Sequence, residues 1–340
     1  MTVGSTIDSP IGWGICSTGK IATGFARNLA GVPGARIAGV SSRAVETAAA
    51  FAREHGDGST RSYDSVEELA ADPAVDVVYV ASPHSLHPTH ARAAIEAGKA
   101  VLCEKPLTLN ARQAQELVDL ARERGVFFME AMWMACNPVV RELLSQLATG
   151  RFGTPRQVRA DLGFRVDRPA TDRLLAPELG GGALLDMGIY PLTFAHLVLG
   201  AAETLTATGD LSDTGIDLDV AIAGRYPGGA VAALSASITS ALSTTATIAT
   251  TEGLLSLPRQ FHHPTYVDWE PTDGQPERIE APGLIGSGLG NEAAEVQRCL
   301  SEGLLESPLV PHAQTLTLMR QLDSIRAQIG LVYPGDDPAG

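Results

Sequence analysis

Along residues 11–130, short apolar runs alternate with longer stretches whose apolar residues recur at helical spacing. A short continuous apolar run suits a strand buried on both faces, and an amphipathic helix suits the crossover that parallel strands need. The pattern predicts strands at 12–16, 36–40, 75–80, 100–103 and 126–129. The helix punctuation agrees. Ser65 with Glu68 and Asn110 with Gln113 have the spacing of a capping box, while Gly98 and Gly125 stand where helix C-caps want a left-handed residue. This half reads as a doubly wound α/β, Rossmann-type parallel sheet.

After about residue 150 the texture changes. "YPGGAVAALSAS" (226–237) and "TATIATTEGLLSL" (245–257) each place glycine in a tight turn between β-rich runs, which predicts antiparallel hairpins. Two helical stretches accompany them, one over 183–199 and one from about Glu292 to the end of "TLTLMRQLDSIRAQIG". Pro191 lies inside the first. It either kinks that helix beside Tyr190 or marks a helix starting afresh with proline in its first turn.

Composition narrows the partners. A chain of 340 residues is comfortable for two domains, drawn here as 1–130 and 131–340. A net charge of −14 opposes nucleic acid and anionic membrane, which need a basic footprint, so a small molecule is expected. The opening "MTVGSTIDSP" lacks the basic and apolar regions of a signal peptide, and the apolar stretch 183–199 is interrupted by Asp186, Tyr190 and His196. Cys16, Cys103, Cys136 and Cys299 form no C-x-x-C pair, which suits a reducing compartment, and cytoplasm is the expectation.

The first strand runs into "STGKIA" (17–22), which aligns with G-x-G-x-x-G/A except that Ser17 stands at the first glycine. Ser17, Thr18, Gly19, Lys20 and Ile21 are candidate contacts to a pyrophosphate. Gly19 admits close backbone approach, Ala22 admits close helix packing, and the helix N-terminus offers unpaired N–H groups. A plain strand-to-helix turn would carry the same six residues. After the second strand comes "GVSSRA" (39–44), with Ser42 and Arg43 where a carboxylate would serve the ribose hydroxyls of NAD. An arginine fork suits the extra phosphate of NADP, the expected cofactor ahead of NAD; the competing reading is a solvated loop arginine.

"WGICSTGKIA", "VASPHSLH", "AGKAVLCEKPL" and "GGGALLDMGIYPL" together resemble the glucose-fructose oxidoreductase, inositol dehydrogenase and MocA (Gfo/Idh/MocA) family. Within it the chain is most similar to the branch of dimeric dihydrodiol dehydrogenase and NADP-dependent D-xylose dehydrogenase, and "FFMEAMW", "RLLAPELGGGALLDMGIYPLTF" and "LESPLVP" extend the likeness. The resemblance implies a Rossmann domain followed by an α/β domain with an open, mostly antiparallel sheet. It also implies a site between them and a homodimer or homotetramer. The lysine of the family's E-K-P falls on Lys105, with Glu104 beside it, and the Lys105–Pro106 bond is expected to be cis. The family's acidic residue and the His or Tyr four positions later fall on Asp186 and Tyr190. "SPHSLH" resembles the loop over the nicotinamide, which places Ser82, Pro83, His84 and His87 near the cofactor, although His84 stands where the family has asparagine.

Oxidation of a secondary alcohol by a nicotinamide requires a base at the hydroxyl oxygen. A phenol has an ordinary pKa of about 10, and a neighbouring ammonium favours its phenolate, which is the role Lys105 can play beside Tyr190. Asp186, four residues before Tyr190 on one helix, can orient the phenol or bond the substrate.

A zinc reading of His84, His87 and His90 is rejected, because Pro88 disrupts a shared helical face and no cysteine or carboxylate completes a ligand set. The pair in "FHHPTY" (261–266) reads as loop histidines, and Cys103 and Cys136 as packed thiols. Trp133 is either a substrate platform or a packing residue. It is followed by Met134, Ala135, Cys136 and Asn137, where the branch carries Thr-Arg-Phe, so neither named substrate is carried over. The leading expectation is an NADP-dependent oxidoreductase of a sugar, polyol or dihydrodiol. The alternatives are a ketoreductase of a nucleotide-linked sugar and a non-catalytic nucleotide-binding regulatory protein; intact Lys105, Asp186 and Tyr190 speak against the last.

Overall fold

The computed structural model describes residues 10–334 and 336, so most of the N-terminal decapeptide considered above lies outside the described residues. The chain forms two compact units, one from residues 10–108, 112–136 and 284–315, the other from 109–111, 137–283, 316–334 and 336. Each is discontinuous in sequence.

In chain order the first unit contains β1 (Ile11–Cys16), α1 (Lys20–Leu29), β2 (Ala35–Ser41), α2 (Val45–His55), β3 (Arg61–Tyr63), α3 (Val66–Ala71), β4 (Val77–Val80), α4 (His87–Glu96), β5 (Ala100–Glu104), α5 (Ala111–Arg124), β6 (Phe128–Ala131) and α6 (Trp133–Cys136). The sheet order is β3-β2-β1-β4-β5-β6, with every pair parallel. The chain reverses direction of growth between β1 and β4, the switch point at which doubly wound sheets bind ligands. Every residue of β1, β4, β5 and β6 is buried, which is why these strands read as unbroken apolar runs. β3 escapes that reading because its three residues are half-buried or exposed.

Phe25 of α1 stacks on Tyr79 of β4 with ring centroids 3.8 Å apart and meets Trp13 of β1 at 5.3 Å, so α1 is anchored directly over the switch point. Ser65 accepts the Glu68 N–H at 3.3 Å, and Gly98 and Gly125 are left-handed at φ +77° and +63°. The first strand end is capped from afar: Asp76 accepts the Gly12 N–H at 2.7 Å. The strand expected over 75–80 starts at Val77, since Val75 is held in a turn to Asp72.

The second unit opens with α7 (Pro138–Ala148) and β7 (Pro155–Gly163) and continues through α8 (Ile189–Leu199), β8 (Thr204–Leu211), β9 (Asp217–Arg225), β10 (Val231–Ser237), β11 (Ala246–Thr250), β12 (Gly253–Leu257), β13 (Val267–Pro271) and β14 (Glu277–Ile279). These eight strands form one sheet, β14-β13-β12-β11-β7-β10-β9-β8, antiparallel except for β7 with β10. The two glycine hairpins join β9 to β10 and β11 to β12 as expected. Both sheets carry the fold class that the sequence predicts.

Two helical expectations are corrected. The stretch 183–199 is not a single α-helix: Leu184–Gly188 is a π-turn, closed by the Ile189 N–H on the Leu184 carbonyl, and α8 starts afresh after it. Pro191 therefore sits in the first turn of α8, where its missing N–H is harmless. The long C-terminal helix is two, α9 (Leu289–Ser301) and α10 (His312–Ile329), separated where Gly303 turns left-handed and Pro308 and Pro311 intervene. The stretch Pro177–Leu199 is long and apolar enough to cross a membrane, yet 78% of its apolar window is buried against protein.

Candidate functional site

The strand-to-helix turn after β1 has the form a pyrophosphate requires. Ser17, at the first-glycine position, takes φ +88°, a conformation that costs an L-residue about 1–2 kcal/mol. Its N–H is held by the Ser41 carbonyl at 2.9 Å, which ties the turn to the end of β2. Gly19 is the N-cap of α1 with no side-chain cap, no acidic residue stands in the first turn, and the space where a Cβ would project is open. The N-terminal N–H groups of α1 are thus left for an anion, and the chain fits a dinucleotide phosphate here. Gly19 and Lys20 are exposed, Ser17 and Thr18 half-buried, and Ile21 remains 37% exposed. Beyond β2, Ser42 is half-buried with its N–H on the Tyr63 carbonyl, and Arg43 is exposed.

After β4 the 82–87 loop is built from inside. Ser82 is buried, and its hydroxyl meets His90 Nδ1 at 3.0 Å. Pro83 is half-buried and His84 is buried, its ring edge-on to His87 at 5.7 Å. His87, expected as a cofactor or substrate contact, is turned inward. Its ring is fully buried, with Nε2 at 2.9 Å from the Ser82 carbonyl and Nδ1 at 2.9 Å from the Pro106 carbonyl. Burial, aided by His84, pushes its pKa from 6.5 down to about 3, so the ring is neutral and donates to one carbonyl at a time. Both ring nitrogens are turned onto backbone, and His87 braces two loops.

One of those loops carries Lys105, half-buried just past the carboxyl end of β5, and the Lys105–Pro106 bond is cis. Glu104 is buried. Its Oε1 accepts the Tyr79 hydroxyl at 2.5 Å and its Oε2 accepts the Lys105 N–H at 3.2 Å. The neighbour that sequence analysis missed is Glu130 on β6, which accepts the Leu107 N–H at 3.0 Å on Oε1 and the Thr315 hydroxyl at 2.9 Å on Oε2. Burial pushes its pKa from 4.5 up to about 7, against the opposing pull of those two donors and of Lys105. A third carboxyl, Glu292 of α9, is fully buried with neither oxygen hydrogen-bonded, and burial reinforced by Glu104 holds it well above the usual carboxylate range. The only sequence signal for Glu130 was an acid inside the apolar run "FFMEAMW". Trp133 is half-buried, and its ring lies where a Cβ on Gly288 would come within 3.2 Å.

In the second unit Asp186 lies in the π-turn and Tyr190 in the first turn of α8, 8% and 7% exposed. The Arg173 guanidinium donates to Asp186 Oδ1 at 3.1 Å. The Tyr190 ring packs on His262 at 4.8 Å, and Phe194 of the same helix packs edge-on to Phe261 at 5.6 Å. The start of the π-turn is fixed by Asp217, whose Oδ2 accepts the Leu184 N–H at 2.5 Å. Arg173, Asp217 and the 261–262 loop were not singled out from sequence as partners of this helix, because they lie 13 to 76 residues away along the chain.

Residues 11–132 match the oxidoreductase family with an NAD-binding Rossmann fold, and residues 140–256 match the GFO/IDH/MocA C-terminal domain. The chain is 37% identical over 335 residues to a trans-1,2-dihydrobenzene-1,2-diol dehydrogenase of Bos taurus, covering 95% of this chain and 98% of that one. Its counterpart in Xenopus tropicalis is 35% identical over 333 residues, covering 95% and 99%. Among solved structures, the 3-ketoreductase KijD10 of Actinomadura kijaniata, in complex with NADP and TDP-benzene, superimposes with TM-score 0.83 at 28% identity over 94% of this chain and 98% of that one. The aldose-aldose oxidoreductase of Caulobacter crescentus shares the fold with TM-score 0.85 at 22% identity, over 94% and 97%.

Proposed function

The chain belongs to the Gfo/Idh/MocA family of oxidoreductases, and from that premise we propose that it interconverts a secondary alcohol and a carbonyl on a sugar, polyol or dihydrodiol, with NADP as the hydride carrier. Bound NADP supplies the acceptor for the hydride. The residues that hold it are Ser17, Thr18, Gly19, Lys20 and Ile21 at the pyrophosphate, with Ser42 and Arg43 at the 2′-phosphate. Ser82, Pro83 and His84 in the loop after β4, with Glu104 at the end of β5, shape the nicotinamide end.

Lys105 and Tyr190 act on the reacting oxygen. Tyr190 takes the hydroxyl proton as the hydride leaves. Lys105 favours the phenolate and stabilises the negative charge that develops on the substrate oxygen. Asp186, already held by Arg173, orients the alcohol. The observation that carries this reading is the setting of Lys105: a half-buried lysine just past the carboxyl end of an interior parallel strand, with its own N–H and the backbone of the next two residues tied to buried side chains. A surface E-K-P turn needs no such support.

Lys105→Ala and Tyr190→Phe are each expected to lower kcat by two or more orders of magnitude while NADPH binding, followed by fluorescence, stays within about threefold. Near-normal turnover in both variants refutes the assignment. The substrate is sought by incubating the chain with NADP and panels of aldoses, polyols and dihydrodiols and following nicotinamide absorbance. The likeness to KijD10 supports a second reading, reduction of a nucleotide-linked ketosugar, and that panel includes one.

A further inference from the structure

We infer that Glu130 is a positioning residue for Lys105: its ionised carboxylate ties the backbone just beyond the lysine to the sheet, and uptake of a proton loosens that tie. The functional meaning of this rests on the reading of Lys105 as catalytic.

Three consecutive residues of the lysine loop are held by three buried side chains from three separate elements. The Lys105 N–H is accepted by Glu104 of β5, the Pro106 carbonyl faces His87 of α4, and the Leu107 N–H is accepted by Glu130 of β6. In parallel register Glu130 stands beside Cys103, one residue before Glu104, so it reaches under the loop from the neighbouring strand. It is 3% exposed.

The tie to Glu130 is able to switch within the neutral range. Both of its oxygens accept, one from an N–H and one from a hydroxyl, an arrangement that suits the carboxylate. A proton added at Oε2 is accommodated if Thr315 turns from donor to acceptor. The Leu107 bond is then made to a neutral carbonyl oxygen and loses its charge assistance, which accounts for about half of its strength. The same proton removes a negative charge that attracts the Lys105 ammonium. The groups that face Glu130 set the balance: Cys103 and Glu104 on β5, Lys105 in the loop, and Thr315 in the first turns of α10, with Glu292 behind Glu104 and His312 bonded to the Phe128 carbonyl. Burial and Glu104 favour the proton, whereas Thr315, Leu107 and Lys105 oppose it, and the outcome is a group that titrates at about 7.

The chain has three lysines, Lys20, Lys99 and Lys105, which makes a direct test practical. Trace acetylation of the full chain with acetic anhydride is read peptide by peptide by mass spectrometry from about pH 5.5 to about 8.5, a window spanning this titration. Exposed Lys20 is the reference, and Lys99, bonded to the Asp72 and Val75 carbonyls, reports that the fold is intact. In the wild-type chain, Lys105 labelling relative to Lys20 is expected to step by roughly threefold across neutral pH as the charge beneath it changes. Glu130→Gln, isosteric and without charge, removes the step while Lys99 labelling is unchanged. Thr315→Val removes one donor to the ionised form and moves the step to higher pH, and it decides the matter alone if Glu130→Gln does not fold. A wild-type curve without a step, a step that persists in Glu130→Gln, or one unmoved in Thr315→Val overturns the inference. Labelling needs neither substrate nor turnover, so a fully active Lys105→Ala chain refutes the catalytic reading by a separate measurement.

Discussion

Arg43 and Ser17 illustrate how a single side chain can carry a choice that its neighbours do not. Arg43 is exposed beyond β2, where no packing demands it, and its value lies in the ligand it can meet. Arg43→Ala is expected to raise KM for NADP by roughly tenfold or more while KM for NAD changes by less than about twofold, because the charge-assisted bonds to a 2′-phosphate are what is lost. Steady-state kinetics with both cofactors check this, and equal effects on the two remove the NADP assignment. Ser17 is the opposite case. Its φ of +88° is the conformation that the family's first glycine supplies without strain, so the departure from glycine changes the residue and leaves the turn in place.

The element that carries Asp186 and Tyr190 depends on a contact that glycine alone permits. Gly182 has φ +121°, and a Cβ there would lie 2.0 Å from Oδ1 of Asp217, the residue whose other oxygen accepts the Leu184 N–H that begins the π-turn. Gly182→Ala must displace Asp217 and release that N–H. The expected cost is about 3 kcal/mol of stability, together with a loss of turnover larger than any loss of NADPH binding. Gly58→Ala, at a site with open space and no positive φ, is the control and should melt within a degree or two of wild type. Thermal unfolding of the two variants tests this, and equal melting temperatures would show that the glycine is not required. The π-turn itself eases the conflict that Pro191 posed: α8 restarts after it, so the proline falls in a first turn where its missing N–H is not needed.

For the folded molecule, buried acids and buried or half-buried histidines pull stability in opposite directions with pH. Glu130 is raised to about 7 and Asp217 to about 6, both chiefly by burial. The stability such raised acids contribute is full below their ordinary values and is lost as pH rises through about 7. His87, His90, His196, His263 and His312 are lowered by burial, so theirs is present above 6.5 and lost as pH falls. Relative to wild type, Glu130→Gln should therefore gain stability between about pH 4.5 and about 7.5, by up to about 3 kcal/mol. Urea unfolding of both chains at the two ends of that range measures it, and a difference independent of pH rules it out. The strands of the first sheet other than β3, the glycine hairpins of the second, the strand-to-helix turn at Gly19 and the motifs that contain Lys105, Asp186 and Tyr190 were legible in the linear chain. Apolar periodicity and turn chemistry act between residues a few positions apart, so a short window contains all the information they need. Hidden were β3, the return of residues 284–315 to the first unit, the turn of His87 onto backbone, and the partnership of Glu130 with Leu107 and Thr315 across 23 and 185 positions. A buried charge takes whichever donors the packed sheet and helices bring to it, and long-range packing alone decides which those are.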